Sequence, residues 1–235
     1  MSIYVLTDIH GEYEKLKKVM AKINKEKKDT DTLIFLGDYI DRGKKSKNVV
    51  DYVYHLKKHN NNIVTLIGNH DYQFYDIIER APQLEDFDIE WLSKYCRETL
   101  QSYNIIPNLL NLYELDKHMF YESFYKPFIK ELVELKEDEA YKRFKILIEE
   151  SKGYHIQDKY KFSHSGGYSY KPEENQTLTE LMWGRDFNPR NDGYIHVFGH
   201  TPTSSGTVEK VNDLIMCDIG AVFRDLEFPI IRLEE

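Results

Sequence analysis

The chain has 235 residues, with 32 lysines and arginines against 40 aspartates and glutamates, a formal net charge of −8. At 41% hydrophobic and 14% aromatic residues it can bury a full core, which excludes general disorder and fits one α/β domain or at most two small ones. The acidity excludes a broad basic face coating nucleic acid, because such binding needs many cationic side chains against phosphates. Only a small local cationic site stays open.

Cys96 and Cys217 are the two cysteines, far apart in sequence and in apolar surroundings. They supply neither a disulfide framework nor a four-thiolate zinc site, which suits a reducing, cytoplasmic setting. The run Met1 to Asp8 lacks a basic n-region, so neither a signal peptide nor a membrane partner is expected.

Along the first seventy residues one rhythm recurs. Ile3 to Thr7, Leu33 to Leu36 and Ile63 to Ile67 are continuous apolar-rich runs, the pattern of strands buried on both faces. Leu16, Val19, Met20 and Ile23 follow the first at helical spacing, and Val49, Val50, Val53 and Leu56 follow the second. The spacing predicts β-α-β-α-β, with chemistry expected in the turns at the carboxyl ends of the strands.

Tyr72 to Lys152 then reads as a charged, aromatic-rich helical region without glycine, punctuated by Pro82, Pro107 and Pro127. Its charge runs are expected to be solvated helix faces, and Tyr72, Phe74 and Tyr75 a core face. Short strands return at Tyr154–Gln157, Tyr160–His164, Tyr194–Phe198, Thr207–Val211, Leu214–Asp218 and Phe228–Leu233. Residues 1–235 are read as a single domain with a helical insertion over about 72–152.

Three strand ends finish in metal-ligand residue types: Asp8-Ile9-His10-Gly11, Gly37-Asp38-Tyr39-Ile40-Asp41-Arg42-Gly43 and Gly68-Asn69-His70-Asp71. Ser163-His164-Ser165-Gly166-Gly167 and Gly199-His200-Thr201-Pro202 repeat the arrangement later. A carboxylate and an imidazole two residues apart in a turn can aim oxygen and nitrogen donors at one ion, and glycine lets the backbone bend beside them. Asp-x-His-Gly alone is more often a turn with a capping Asp. Five such turns in one chain argue against a merely local explanation. His55, His59, His118, His155 and His196 have no comparable neighbours and read as surface or satisfied structural residues. Ser165 lacks a Gly-x-Ser-x-Gly setting and is not expected to be a nucleophile.

This ordered set resembles the calcineurin-like metallophosphoesterases, and within them the phosphoprotein phosphatase (PPP) family. Its signature runs Gly-Asp-x-His-Gly, Gly-Asp-x-x-Asp-Arg-Gly, Gly-Asn-His-Glu, His-x-Gly and Gly-His-Thr. Leu181-Met182-Trp183-Gly184-Arg185 resembles the Trp-x-Arg segment of the small bacterial and phage lambda-type members. Symmetrical dinucleoside tetraphosphate hydrolases share the motif order. Thr7 stands where the family usually has Gly, and Asp71 where it usually has Glu.

The resemblance implies an α/β metallophosphoesterase sandwich of two mixed sheets flanked by helices, holding two divalent ions. Manganese is expected first, with Fe, Zn, Ni or Co as alternatives. Asp8, His10 and Asp38 would hold one ion and Asp38, Asn69, His164 and His200 the other, with Asp38 bridging. His70 would be the general acid with Asp41 as its carboxylate partner, and Arg42, Arg185 and Asn69 would bind the substrate phosphate. Two dications outweigh two carboxylates, so the centre would suit a phosphate dianion, with hydroxide generated between the ions.

The expected activity is phosphomonoester hydrolysis, first on phosphoserine or phosphothreonine in proteins. Dinucleoside tetraphosphates, other nucleotides or RNA ends are the alternative substrates. A catalytically silent binding protein of the same fold is the non-enzymatic alternative. The expected partners are a phosphorylated protein or a small phosphoester rather than an extended nucleic-acid duplex, and the oligomeric state is left open.

Overall fold

The computed structural model describes residues 1–105 and 125–234. The amino-terminal half runs β1 (Ser2–Leu6), α1 (Tyr13–Glu26), β2 (Thr32–Phe35), α2 (Ser46–His59), β3 (Ile63–Thr65) and α3 (Asn69–Arg80). Helices α4 (Asp86–Tyr95), α5 (Arg97–Ser102), α6 (Lys126–Leu135) and α7 (Glu139–Glu149) follow. Strands β4 (Tyr154–Gln157) and β5 (Tyr160–Ser163), helix α8 (Leu178–Trp183), and strands β6 (Ile195–Phe198), β7 (Glu209–Val211), β8 (Leu214–Met216) and β9 (Ile231–Glu234) complete the order.

These strands form two mixed sheets, ordered β3-β2-β1-β9 and β4-β5-β6-β8-β7. The pairs β1–β2, β2–β3, β5–β6 and β6–β8 are parallel; β1–β9, β4–β5 and β7–β8 are antiparallel. Side chains alternate across each strand. Ile3, Val5, Ile34, Leu36 and, from β9, Leu233 therefore meet Phe162, Val197 and Ile215 of the second sheet, while Tyr4, Leu6, Leu33 and Phe35 pack against the helices. Burial on both faces is the physical reason these strands read as unbroken apolar runs.

The helices bury the stripes their spacing predicts: Leu16, Val19, Met20 and Ile23 in α1, and Val49, Val50 and Val53 in α2. Each such aliphatic side chain contributes about 1.5–3 kcal/mol of burial. The helical segment packs on the same core through Leu132, Tyr141, Phe144 and Leu147. Arg143 Nε ties α7 to α2 by a 2.7 Å bond to Asp51.

Several boundaries shift from expectation. The first three strands end at Leu6, Phe35 and Thr65, because the next residues turn into the site loops; Gly37 and Asp38 have φ of 101° and 55°. In α3, Phe74 is fully buried, but Tyr72 is on the exposed face and Tyr75 is half-buried, so the three aromatics do not share a core face. His118 and Pro107 lie outside the described residues. Among the described residues no helix is long and apolar enough to cross a membrane.

Candidate metal and phosphate site

The turns after β1, β2, β3, β5 and β6 meet at the carboxyl ends of the two sheets. Asp8, His10, Asp38, Asp41, Arg42 and His200 all have φ between 44° and 72°, the left-handed region that side chains with a Cβ rarely adopt. Such strain persists only where surrounding bonds over-determine it. Here Asp8 N donates to Gly37 O (3.2 Å), His10 N to Asp38 O (2.9 Å), Gly11 N to Tyr39 O (2.9 Å) and Gly43 N to His10 O (2.9 Å), locking the first two turns together. Gly68 and Gly199 are among the glycines required by close approach. A Cβ on Gly68 would collide with Asp38, and one on Gly199 with Thr7 and Asp8.

Five side chains converge on Asp38. His10 Nε2 lies 3.5 Å and His164 Nε2 3.4 Å from Asp38 Oδ2, and His164 Nε2 is 3.1 Å from Asn69 Oδ1. Asp8 Oδ1 is 3.9 Å from His10 Nε2, and His200 reaches the same centre, grouped with Asp38 and His164. His10 Nδ1–H donates to Ile40 O (2.8 Å) and His164 Nδ1–H to Leu36 O (2.9 Å). Those bonds fix the tautomers and turn each Nε2 lone pair inward.

Lone pairs and acceptor oxygens pointed at one place require a cation or a proton among them. Proton affinities follow that rule. Burial opposes ionisation of Asp38, but the charges of His164 and His70 hold its carboxyl well below the usual range. Burial and the nearby Asp218 push Asp8 well above it. Burial also works against protonating His164, yet Asp38 leaves it raised to about 9. His10 and His200 are held down to about 3, chiefly by burial. Crowded carboxylates with the neutral imidazoles of His10 and His200, the proton-binding His164 and an amide oxygen fit divalent ions that accept mixed O/N ligation.

Beside this centre, His70 Nδ1–H donates to Asp41 Oδ2 at 2.7 Å, within a pair that is buried almost completely. Burial disfavours the imidazolium, but Asp38 and the Asp41 bond outweigh it and raise the His70 pKa. Arg42 Nη2 donates to His70 Nε2 at 3.2 Å, and Arg185 Nε to His200 Nε2 at 3.4 Å. Both guanidinium groups thus rest on imidazoles inside one cavity of about 220 Å³.

Aromatic rings wall that cavity. Trp91 and Tyr95 of α4 lie with ring centroids 5.4 Å from His70, Trp183 lies 5.8 Å from Trp91, and the Arg42 guanidinium sits 4.6 Å over Phe223. Trp183 and Phe223 remain exposed at the mouth.

The structure therefore gathers Asp8, His10, Asp38, Asn69, His70, Arg42, Arg185 and His200 around one cavity, with His164 beneath and Asp41 behind His70. Sequence reasoning missed Asp218, which lines the cavity and whose carboxyl burial and Asp38 push up to about 6. Its signal was present, an acid just past a strand and two residues before Gly220. Thr99, Trp91, Tyr95 and Phe223 carry no such local signal. Thr99 Oγ1 donates to Asp41 Oδ1 (2.7 Å) and accepts from Asp41 N (2.8 Å), and Cys96 Sγ lies 3.5 Å from Asp41 Oδ2. Both departures from the family motif are bonded to the site: Thr7 Oγ1 donates to Asp8 Oδ2, and Asp71 accepts from the backbone of Asp38.

A two-sheet α/β sandwich with oxygen and imidazole donors collected at its strand ends, beside two arginines, defines a protein class built to hold cations against an anionic group. The model of the calcineurin-like phosphoesterases matches residues 1–228, and the chain belongs to that family. It is 41% identical over 71 residues to a symmetrical bis(5'-nucleosyl)-tetraphosphatase of Hamiltonella defensa, covering 30% of this chain and 24% of that protein. It is 35% identical over 107 residues to the enzyme of the same name from Buchnera aphidicola, covering 44% and 37%. The matched segments thus span about a quarter to just over a third of these curated relatives. A crystal structure described as a putative diadenosine tetraphosphatase superposes with a TM-score of 0.54 at 14% identity, covering 94% of this chain and 85% of that one, a likeness of fold.

Proposed function

We propose that the protein is a two-metal phosphoesterase whose preferred substrate is a dinucleoside polyphosphate, split symmetrically into two nucleotides. The observation that carries this reading is the cavity itself, a polar floor with two guanidinium groups and a rim of Trp91, Tyr95, Trp183 and Phe223. A phosphate chain needs the floor, and the base at each end needs a flat apolar face. The names of the relatives point the same way.

Asp8, His10 and Asp38 would hold one divalent ion, and Asp38, Asn69, His164 and His200 the other, with Asp218 as an additional carboxylate. When bound, such ions supply Lewis-acid polarisation of a phosphoryl oxygen and activation of the attacking water; manganese suits the O/N donors. Arg42 and Arg185 bind equatorial phosphoryl oxygens through planar, bidentate groups. Arg42 now covers His70 Nε2, the atom that must carry the departing proton. Its turn toward a phosphoryl group frees Nε2 to take a proton, while Asp41 keeps Nδ1–H and so the ring's aim. Helix α4, within the helical region after α3, acts as the wall that selects the leaving group, through Trp91 and Tyr95.

The Asp41–His70 bond favours a second reading. An oriented acid matters most when a strongly basic alkoxide departs, as from phosphoserine, whereas a nucleoside diphosphate leaves readily without one. The experiment is a comparison of kcat/KM for diadenosine tetraphosphate, a phosphoserine peptide and a 2′,3′-cyclic nucleotide, with manganese supplied to each. A lead of several decades for the tetraphosphate is expected. A lead for the peptide replaces the first reading by the second, and no hydrolysis of any phosphoester by metal-loaded protein removes both.

A further inference from the structure

Asp41 has no bond to the rest of its own turn that would set the direction of its carboxylate. What grips it comes from elsewhere. Thr99, on α5, closes a two-point clamp: its hydroxyl donates to Asp41 Oδ1 at 2.7 Å and accepts the Asp41 N–H at 2.8 Å. Ser46 Oγ, at the start of α2, lies 3.0 Å from Thr99 Oγ1 and 3.1 Å from Asp41 N, so the hydroxyls order one another. Asp41, Ser46 and Thr99 are each fully buried. Cys96 Sγ, a weak donor 3.5 Å from Asp41 Oδ2, lies on the side of His70, so with this site buried the Thr99 hydroxyl holds the other oxygen, Oδ1, and the clamp sets which oxygen faces His70. Asp41 also has a φ of 72°, a conformation that needs outside support.

We propose that Thr99 is the positioning residue of the Asp41–His70 pair, so that α5, which follows the cavity-walling α4 after one residue, aims the proton donor. Thr99 holds Oδ1, which leaves Oδ2 for His70 Nδ1–H at 2.7 Å. From the same helix pair, Trp91 and Tyr95 press on the His70 ring. Anything that shifts α4–α5 shifts both members of the pair together. The inference rests on the reading of His70 as the general acid.

The test uses substituted phenyl phosphates, from p-nitrophenyl to unsubstituted phenyl, with manganese-loaded full-length protein. An acid that donates to the leaving oxygen flattens the dependence of kcat/KM on leaving-group basicity. Thr99→Val keeps the volume and removes the bonds, so it should slow phenyl phosphate about tenfold more than p-nitrophenyl phosphate. Thr99→Ser should restore the wild-type slope. His70→Asn serves as the reference and should steepen the slope at least as much.

If His70→Asn leaves the slope unchanged, the acid assignment itself falls. If His70→Asn steepens it but Thr99→Val slows all the phosphates by one factor, or none, the positioning role is overturned. Should Thr99→Val not fold, Ser46→Ala, which removes the partner ordering the Thr99 hydroxyl, is read by the same slope: steepening supports the role and an unchanged slope overturns it.

Discussion

Asp71 holds the loop of Asp38 by its main chain: one carboxylate oxygen accepts from Asp38 N (2.7 Å) and Gly68 N (3.1 Å), and the other from Tyr39 N (2.9 Å). The side chain is fully buried and also caps the first turn of α3. The shorter acid in place of the family's usual Glu thus reaches three donors that, among the described residues, no other group serves. Asp71→Ala would strand buried N–H groups, each costing about 1–3 kcal/mol. The expected loss of stability is about 3 kcal/mol or more, read by urea denaturation of metal-free protein. A loss below about 1 kcal/mol would show that the loop closes without Asp71.

Metal removal should weaken the fold as well as stop turnover. Asp8, Asp38 and Asp218 crowd one another in a buried place, and a bound dication relieves that repulsion. At a cation concentration a hundredfold above its Kd the gain is about 2.7 kcal/mol. Thermal scans with manganese against a chelator should show the higher midpoint with manganese, and a smaller rise with magnesium or calcium, which do not favour imidazole. Identical midpoints throughout would contradict the ligand assignment.

The aromatic rim makes a separate prediction. Trp183→Ala and Phe223→Ala remove exposed rings at the mouth, so their effect should fall on binding rather than folding. Loss of one stacked base corresponds to about 5- to 150-fold in kcat/KM for diadenosine tetraphosphate. Steady-state kinetics should place the loss in KM and make it smaller for p-nitrophenyl phosphate, which has no base. Equal losses on both substrates would remove the rim from specificity.

An ionic cluster away from the site, with His196, Glu173 and Lys161 buried and Asp192 at the surface, predicts how stability follows pH. His196 Nδ1 is 2.7 Å from Glu173 Oε1 and Nε2 3.0 Å from Asp192 Oδ1, while Lys161 reaches both carboxylates. Burial disfavours charge on His196, but the bonds to Glu173 and Asp192 outweigh it and raise its pKa above 6.5. A raised histidine pKa stabilises fully below the unfolded value and progressively less as pH rises through the folded value. On the acid side, burial opposes ionisation of Glu173, but the His196 bond keeps its pKa below 4.5, so its contribution fades as pH falls through the folded value. Denaturation at about pH 6 and about pH 9 should show a larger deficit for His196→Asn at the lower pH. A deficit that is constant between them would mean that His196 acts by packing alone.

His196 also marks a limit of local reading, since its sequence neighbours announce nothing and its partners come from a 3₁₀ turn at Glu173–Asn175 and a loop at Asp192. The strand-end turns were legible because each writes its requirement into adjacent residues. Gly37-Asp38 and Gly68-Asn69 couple donor types to the glycines that let loops pass closely, and the apolar runs before them follow from burial on two faces. The order of elements, the sandwich and the assembly of Asp8, Asp38, His164 and His200 follow from such short-range rules and from the resemblance they support.

Tertiary structure alone decided what surrounds that centre. Thr99 lies 58 residues from Asp41, and Phe223 is 181 residues beyond Arg42; no spacing rule links them, because each contact is made by packing between elements that are independent in sequence. Helical periodicity could say that α4 and α5 exist as amphipathic pieces, but not that one of them would turn Trp91 and Tyr95 onto His70 while the other clamps Asp41. The motifs encode the handling of a phosphoryl group through local backbone geometry. The aromatic and hydroxyl contacts around that site are made by long-range packing, whose pairings are set by the shape of the whole core.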